Sequence, residues 1–363
     1  MRLESVRSWR LANSTNGHRT GNGLAQEQAT GMTRLATEGT REGVRLGTFR
    51  YMQTSAESSL YRNGKVLSRR DRDGSDSGLL GVDLEDREMA ILDARTVTQA
   101  EQPTLSANGF ELLERPSADP GLDFLDHDVV ARAYYPECAE IVRAATGAAT
   151  VAAFDHNVRS ATGKSGKRRI AGGQQVQGPA HLVHGDYTLT SAPQRMRDLA
   201  RPPTLNDTYR TVLAEEETLL DAGAVEQAIT DGRFALINLW RNIAREPVAT
   251  RPLALCDGMS VHPEELVVFE IHYSDRIGEN YFAKHDDRHR WVYWSAMTRD
   301  EALLIKQWDS AGELARSEGT RADPDGIDQP CTFSFHSAFE DPATPPDAPD
   351  RWSIEVRCAV LYA

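Results

Sequence analysis

The sequence predicts a mainly β protein, a double-sheet jelly roll of the cupin kind with added helices packed outside the core, and three observations lead there. After residue 232 come "RFALINLWRNI", "PLALCDGMSV", "LVVFEIHYS", "RWVYWSAM", "TFSFHSAF" and "SIEVRCAVLY", short segments rich in β-branched and aromatic residues between turn formers. Helical spacing of apolar residues is confined to the chain before residue 230. No internal repeat of about 20 to 50 residues and no alternating strand and helix rhythm is visible, which argues against solenoids and parallel-sheet folds.

Taken in order, residues 1–46 are rich in Thr, Gly, Arg, Asn and Gln with isolated apolar residues, too few to offset chain entropy, and read as a disordered tail. Residues 47–363 read as one domain: a strand and helix extension over 47–150, then a jelly-roll core over about 150–363 with a helical insertion at 204–230. Order begins at "GTFRYM"; "RNGKVLSRRDRDGSDSG" is a charged hairpin or loop; "REMAILDART" has the apolar run of a strand. From Asp126, residues Val129, Val130, Ala133 and Tyr134 recur at helical spacing. Pro136 restarts a second helix through Cys138, Ile141, Val142 and Ala145, and Gly147 closes it. "AATVAAFDHNVR" reads as a strand, "SATGKSGKRRIAGG" as a flexible basic loop, and Asn206 to Ile229 as a helical stretch carrying Tyr209, Val212, Leu213, Leu219, Leu220 and Val225.

Composition excludes several classes. Forty-one basic against fifty-four acidic residues give a formal charge of -13, which repels nucleic acid. No apolar run of about 18 residues could span a bilayer, and the opening segment has no apolar stretch of secretory type, so a cytoplasmic address is expected. Cys138, Cys256, Cys331 and Cys358 lie far apart and read as core thiols of a reducing compartment. H-E-x-x-H, G-x-S-x-G and G-x-G-x-x-G are missing from the contexts they need, and "GKS" at 163–165 lacks the leading glycine of a phosphate loop.

One constellation carries chemistry. His184 and Asp186 in "HLVHGDYTLT" are two apart, and residues i and i+2 of a strand share a face, so an imidazole and a carboxylate can reach one point. His336 in "TFSFHSAF" is the candidate third ligand from a distant strand. Two histidines and one carboxylate leave the opposite side of Fe(II) open to a chelating cosubstrate and dioxygen. A second His-x-Asp, formed by His285 and Asp287 with His289 close behind, is the rival; its stretch "FAKHDDRHR" is polar and reads as a solvated loop. After His336 comes the turn "EDPATPPDAPD" and then a strand expected to run antiparallel alongside. On it Arg351 and Ser353 share a face, so a guanidinium and a hydroxyl could clamp a remote carboxylate. Arg357 points the same way, either as a second anchor or as the partner of an internal acid such as Glu355. His156 reads as a structural histidine. Asn238, Trp240 and Arg241 could line a pocket and Lys306 could hold a carboxylate, but each is more often a packing, capping or surface group.

The phrases "ILDART", "NGFELLERPS", "YYPECAEIVRAATGA", "FDHNVR", "VHGDYT", "INLWRNI", "PLALCD", "WVYWSAMTRDEALLIKQWDS", "HSAFEDP" and "RWSIEVR", spread over about residues 48 to 363, give the chain a resemblance to the hydroxylase/desaturase family of secondary metabolism. That family includes fungal biosynthetic oxygenases, a gibberellin desaturase and the hydroxylase component of cephamycin methoxylation. The resemblance implies a double-stranded β-helix that uses Fe(II), 2-oxoglutarate and dioxygen to hydroxylate or desaturate a small-molecule natural-product intermediate, with succinate as coproduct. Its His-x-Asp falls on His184 and Asp186, its distal histidine on His336 and its Arg-x-Ser on Arg351 and Ser353. Asn242 stands where the family usually has proline, and residues 316–330 look like an expanded loop. The expected partner is a small-molecule substrate, with a homodimer or a tailoring enzyme as a further possibility. The alternative from another class is a non-catalytic jelly-roll helper subunit.

Overall fold

The computed structural model describes residues 43–70, 76–77, 83–214, 216–273, 276–316 and 330–363. Among the described residues fifteen strands, numbered along the chain, form two sheets. The larger runs in the order β1 (Val44–Met52), β4 (Leu84–Asp93), β12 (Trp291–Tyr293), β9 (Leu253–Cys256), β14 (His336–Ala338), β7 (His184–Gly185), β11 (Ile277–Ala283), β10 (Leu266–His272), β2 (Val66–Arg70) and β3 (Asp76–Ser77). The smaller runs β5 (Phe110–Glu114), β13 (Glu301–Asp309), β8 (Phe234–Asn242), β15 (Ser353–Leu361) and β6 (Thr150–Arg159). In the second half of the chain β8, β13 and β15 enter the smaller sheet while β9 to β12 and β14 enter the larger, so the chain passes repeatedly between two sheets, as in a jelly roll. One continuous apolar core draws on both sheets, through Ile91, Val268 and Tyr281 of the larger and Leu236, Leu304 and Val356 of the smaller.

Every residue of β8 is buried, which alternation alone does not give, because a half-solvated sheet exposes every second side chain. The cover is helical. Helix Tyr135–Thr146 buries Tyr135, Cys138, Ile141 and Val142 on one stripe and packs on β6, β15 and β8, while Glu137, Glu140 and Arg143 lie on its more polar side. Gly147 ends it in the left-handed conformation at φ 66, where a side chain would be strained.

Several expectations are corrected. The two helices either side of Pro136 are one continuous run from His127, joined by a π turn at Val130–Tyr134. Proline has no N–H to give to the carbonyl four residues back, and the wider turn just before it absorbs that loss. The expected helix from Asn206 to Ile229 is instead a 3-10 turn at Thr208–Thr211 and a separate helix Ala222–Thr230, started by the Asp221 side chain accepting from the Ala224 N–H. The basic loop after β6 contains one helical turn, Ala161–Ser165, pinned by Asp350, whose carboxylate accepts from Ser160 and Thr162. β1 starts at Val44, inside the stretch expected to be tail; residues 1–42 and most of the expected expanded loop, 317–329, lie outside the described residues. The strand after His336 does not lie beside it: β14 pairs with β7 and β9 in the large sheet, β15 with β6 and β8 in the small one. The proline-rich turn therefore crosses between sheets, and Arg351 and Ser353 reach the interior from the wall opposite the histidines.

Candidate active site

His184 and His336 are direct cross-strand partners of β7 and β14, with ring centroids 4.3 Å apart. Asp186 lies one residue beyond β7, and its Oδ1 is 3.8 Å from His184 Nε2. One ligand atom from each of His184, Asp186 and His336 falls within 4.8 Å of the others, the only such cluster among the described residues. Both rings are in the state a metal needs. Burial, then the neighbouring His336 ring, pushes the His184 imidazole down to about 4, and burial lowers His336 as well, so both are neutral near pH 7. His184 Nδ1 donates to the Leu182 carbonyl at 2.6 Å, which leaves its Nε2 lone pair free toward the cluster.

The opposite wall is a polar ladder on strands that are otherwise apolar. Ser353, Glu355 and Arg357 of β15 face inward, opposite Arg159, Asn157 and Asp155 of β6 and Asn242, Trp240 and Asn238 of β8. Asp186 is clamped by this ladder: Arg357 Nε at 3.2 Å and Asn238 Nδ2 at 3.0 Å reach its Oδ2, and its backbone N–H donates to Gln307 Oε1. Burial, the largest single influence, would raise the Asp186 carboxyl, but Arg357, the two histidines and the Asn238 hydrogen bond together outweigh it and hold the group well below the usual carboxylate range. Glu355 goes the other way, raised by burial and by Asp186 beside it.

Arg351 and Ser353 are different. Arg351 is buried, with its guanidinium 5.7 Å from the Trp240 ring centroid; Nη1 donates to the Arg251 carbonyl, Nε has no partner, and no carboxylate pairs with it among the described residues. Ser353 Oγ and His336 Nδ1 are also buried without a hydrogen-bond partner. Burial, then Arg159, lowers the Arg351 guanidinium to about 9. Each such orphan costs about 1 to 3 kcal/mol. A buried cation and an unsatisfied hydroxyl two residues apart could together cradle a carboxylate, and the imidazole, imidazole and carboxylate set suits Fe(II). The residues therefore fit both groups.

Other sequence candidates fall elsewhere. Arg357 forms ion pairs with Asp155 at 2.9 Å and with Asp186, and lies 3.6 Å from Glu355, so it orients acids and has no charge left to anchor a cosubstrate. The rival cluster does not assemble: His289 is buried with Nε2 at 2.7 Å from Glu265 and Nδ1 at 3.1 Å from the Tyr51 hydroxyl, and the Asp287 side chain is 98% exposed. His156 Nδ1 meets the Tyr135 hydroxyl, Lys306 pairs with Asp309, and Arg241 is bonded to Tyr134 and to the carbonyls of Arg115 and Arg299; all three are structural. Asn238, Asn157 and Gln307 are the residues underrated or missed. The spacing in "FDHNVR", "INLWRN" and "SIEVR" places polar residues two apart, but without the cover over that face it reads equally as a solvated edge, and Gln307 belongs to none of these phrases.

A cavity of about 530 Å³ opens on His184, Asp186 and Arg357, with Phe154, Leu182, Tyr187 and Phe282 in its wall, a size suited to a small organic molecule. Fold and site together define a jelly-roll oxygenase, and comparison with known proteins narrows the class. The family model described as "Oxidoreductase/YMDC permease-like domain" matches residues 49–361. An uncharacterized protein from the dcmA 3' region of Methylophilus leisingeri is 42% identical over 194 residues, 53% of this chain and 88% of that protein. The alpha-ketoglutarate-dependent dioxygenase tstK of Talaromyces stipitatus is 30% identical over 264 residues, covering 71% and 80% of the two chains. The fold is also that of the iron and alpha-ketoglutarate-dependent endoperoxidase NvfI, with a TM-score of 0.64 at 21% identity over 89% of this chain and 100% of that one. The chain belongs to this oxidoreductase family, together with the Fe(II)- and 2-oxoglutarate-dependent dioxygenases. No helix among the described residues is long and apolar enough to cross a membrane.

Proposed function

We propose that the chain is an Fe(II)- and 2-oxoglutarate-dependent oxygenase that hydroxylates or desaturates a small-molecule natural-product intermediate bound in the cavity. His184, Asp186 and His336 would hold the iron, and Arg351 with Ser353 would take the far carboxylate of 2-oxoglutarate. When bound, iron and cosubstrate supply dioxygen activation coupled to decarboxylation to succinate and CO2, which is the oxidising power needed at an unactivated carbon. The chain's own work is positioning. Arg357 and Asn238 fix the Asp186 carboxylate, the Leu182 carbonyl fixes the His184 tautomer, and Trp240 walls the Arg351 guanidinium away from water.

The carrying observation is the convergence of three ligands on one side of the barrel with an unsatisfied guanidinium and hydroxyl on the other. Related chains carry names of the same kind, including hydroxylase/desaturase poxK of Penicillium oxalicum. Four buried free thiols fit a cytoplasmic address. Anaerobic equilibrium binding tests the reading: Fe(II) and 2-oxoglutarate form a ternary complex, and succinate appears on admitting dioxygen. Failure to form that complex would leave the helper-subunit reading. Sedimentation of the loaded protein tests for a homodimer.

A further inference from the structure

The cavity has a charge that the chain as a whole does not. Among the described residues seven arginines and five carboxylates line it, with no lysine, so its wall is net positive in a chain of formal charge -13. One local excess lies at Asp207. Arg195 Nη2 at 2.9 Å and Arg276 Nη1 at 3.0 Å both pair with its Oδ1, while Oδ2 is taken by the N–H and hydroxyl of Thr204. One carboxylate between two guanidiniums leaves one positive charge uncompensated. Arg195 is 9% exposed, sits 5.0 Å over the Phe154 ring and leaves Nη1 without an acceptor. In the same wall Arg357 and Arg62 are matched by Asp155, Asp186 and Glu279.

Beside the pair the rim is apolar. Leu205 is 75% and Ile277 42% exposed, both line the cavity, and they flank Asp207 and Arg276 in the chain. Large aliphatic side chains left in water next to an uncompensated guanidinium suit a ligand with an apolar body and an acidic end.

Resting on the function proposed above, we infer that the substrate is an apolar small molecule bearing one carboxylate. Arg276, with Arg195 behind it, reads the carboxylate, and Leu205 and Ile277 cover the adjoining carbon skeleton. The full chain, loaded anaerobically with Fe(II) and 2-oxoglutarate, is titrated calorimetrically with dodecanoate and with cholate, each against its methyl ester. At least one acid is expected to bind about 10-fold or more tightly than its ester, a preference that weakens with added salt. R276Q should bring acid and ester within about twofold, since one guanidinium then remains opposite Asp207. Arg195 is too buried for its loss to be read alone, whereas the Arg276 side chain is 27% exposed and its replacement leaves the core intact. Equal affinity for acid and ester, binding of neither acid, or a preference that survives R276Q would each overturn the inference. The titration is repeated on metal-free protein, so that failure to bind 2-oxoglutarate counts against the function above and the acid preference is judged separately.

Discussion

The chain contains His-x-Asp twice, and at the level of the pair the copy outside the site is the tighter one: His285 Nε2 is 3.5 Å from Asp287, against 3.8 Å for His184 and Asp186. What separates them is the third partner. The register of β14 sets His336 directly across from His184, whereas the histidine that follows the second copy has given both ring nitrogens to Tyr51 and Glu265. Enclosure differs as well: the Asp186 side chain is 8% exposed and held by Arg357 and Asn238, while Asp287 stands in water. Metal-binding capacity therefore belongs to the strand pairing and the supporting hydrogen bonds more than to the motif.

The sharpest way to break this comparison is to remove one histidine from each copy. His184→Ala should reduce Fe(II)-dependent succinate formation to background and abolish tight Fe(II) binding; His285→Ala should leave both within about twofold. Equal losses in anaerobic equilibrium binding would mean that the second copy takes part. The next largest effects separate Arg351, just before the last strand, from Arg357 in its middle. Arg351→Gln should raise the KM for 2-oxoglutarate about 100-fold with Fe(II) affinity intact, because a buried charge-assisted contact is lost. Arg357→Gln should instead weaken Fe(II) about 10- to 100-fold by freeing Asp186. A reversed pattern would exchange their roles. His289→Ala should cost about 2 kcal/mol in urea unfolding by removing the buried ring and its bonds to Glu265 and Tyr51, with no change in Fe(II) affinity.

Much of this was legible in the sequence because period and composition encode it directly. From β8 onward, strands β8, β9, β10, β12, β14 and β15, with the buried stripe of helix Tyr135–Thr146, are apolar at the spacing their geometry demands, whereas β11 and β13 were not read as strands. Sheet membership was not legible: the stretch from residue 339 to 352 is equally compatible with a hairpin and with a crossing, and only pairing with β6 and β8 decides it. Nor was the break in the expected helix after Asn206, where Asp207 is drawn into ion pairs with Arg195 and Arg276 that no local pattern records. Of the proposed site, the side chains at 184, 186, 336, 351 and 353 are the ones the sequence reading named as a set. Their supports at 157, 238 and 307 were not legible, because a polar residue on a strand signals a solvated face until the cover over that face is known.

Burial is a tempting marker for the histidines that matter, and His156 shows why it is insufficient. Its imidazole is pushed down to about 4 chiefly by burial, as far as that of His184, yet it faces Tyr135 and stacks on His127, away from the ligand cluster. The consequence is for stability. The folded state disfavours the protonated ring, so the stabilisation is complete above the unfolded value of about 6.5, is lost progressively as pH falls from there toward 4, and does not fall further below that. One unit below 6.5 the difference is about 1 kcal/mol. His156→Asn should therefore flatten the acid limb of metal-free unfolding between pH 6.5 and 4 while lowering stability at pH 7 through the lost Tyr135 contact. An unchanged slope in urea midpoints across that window would show that the ring does not titrate as its burial requires.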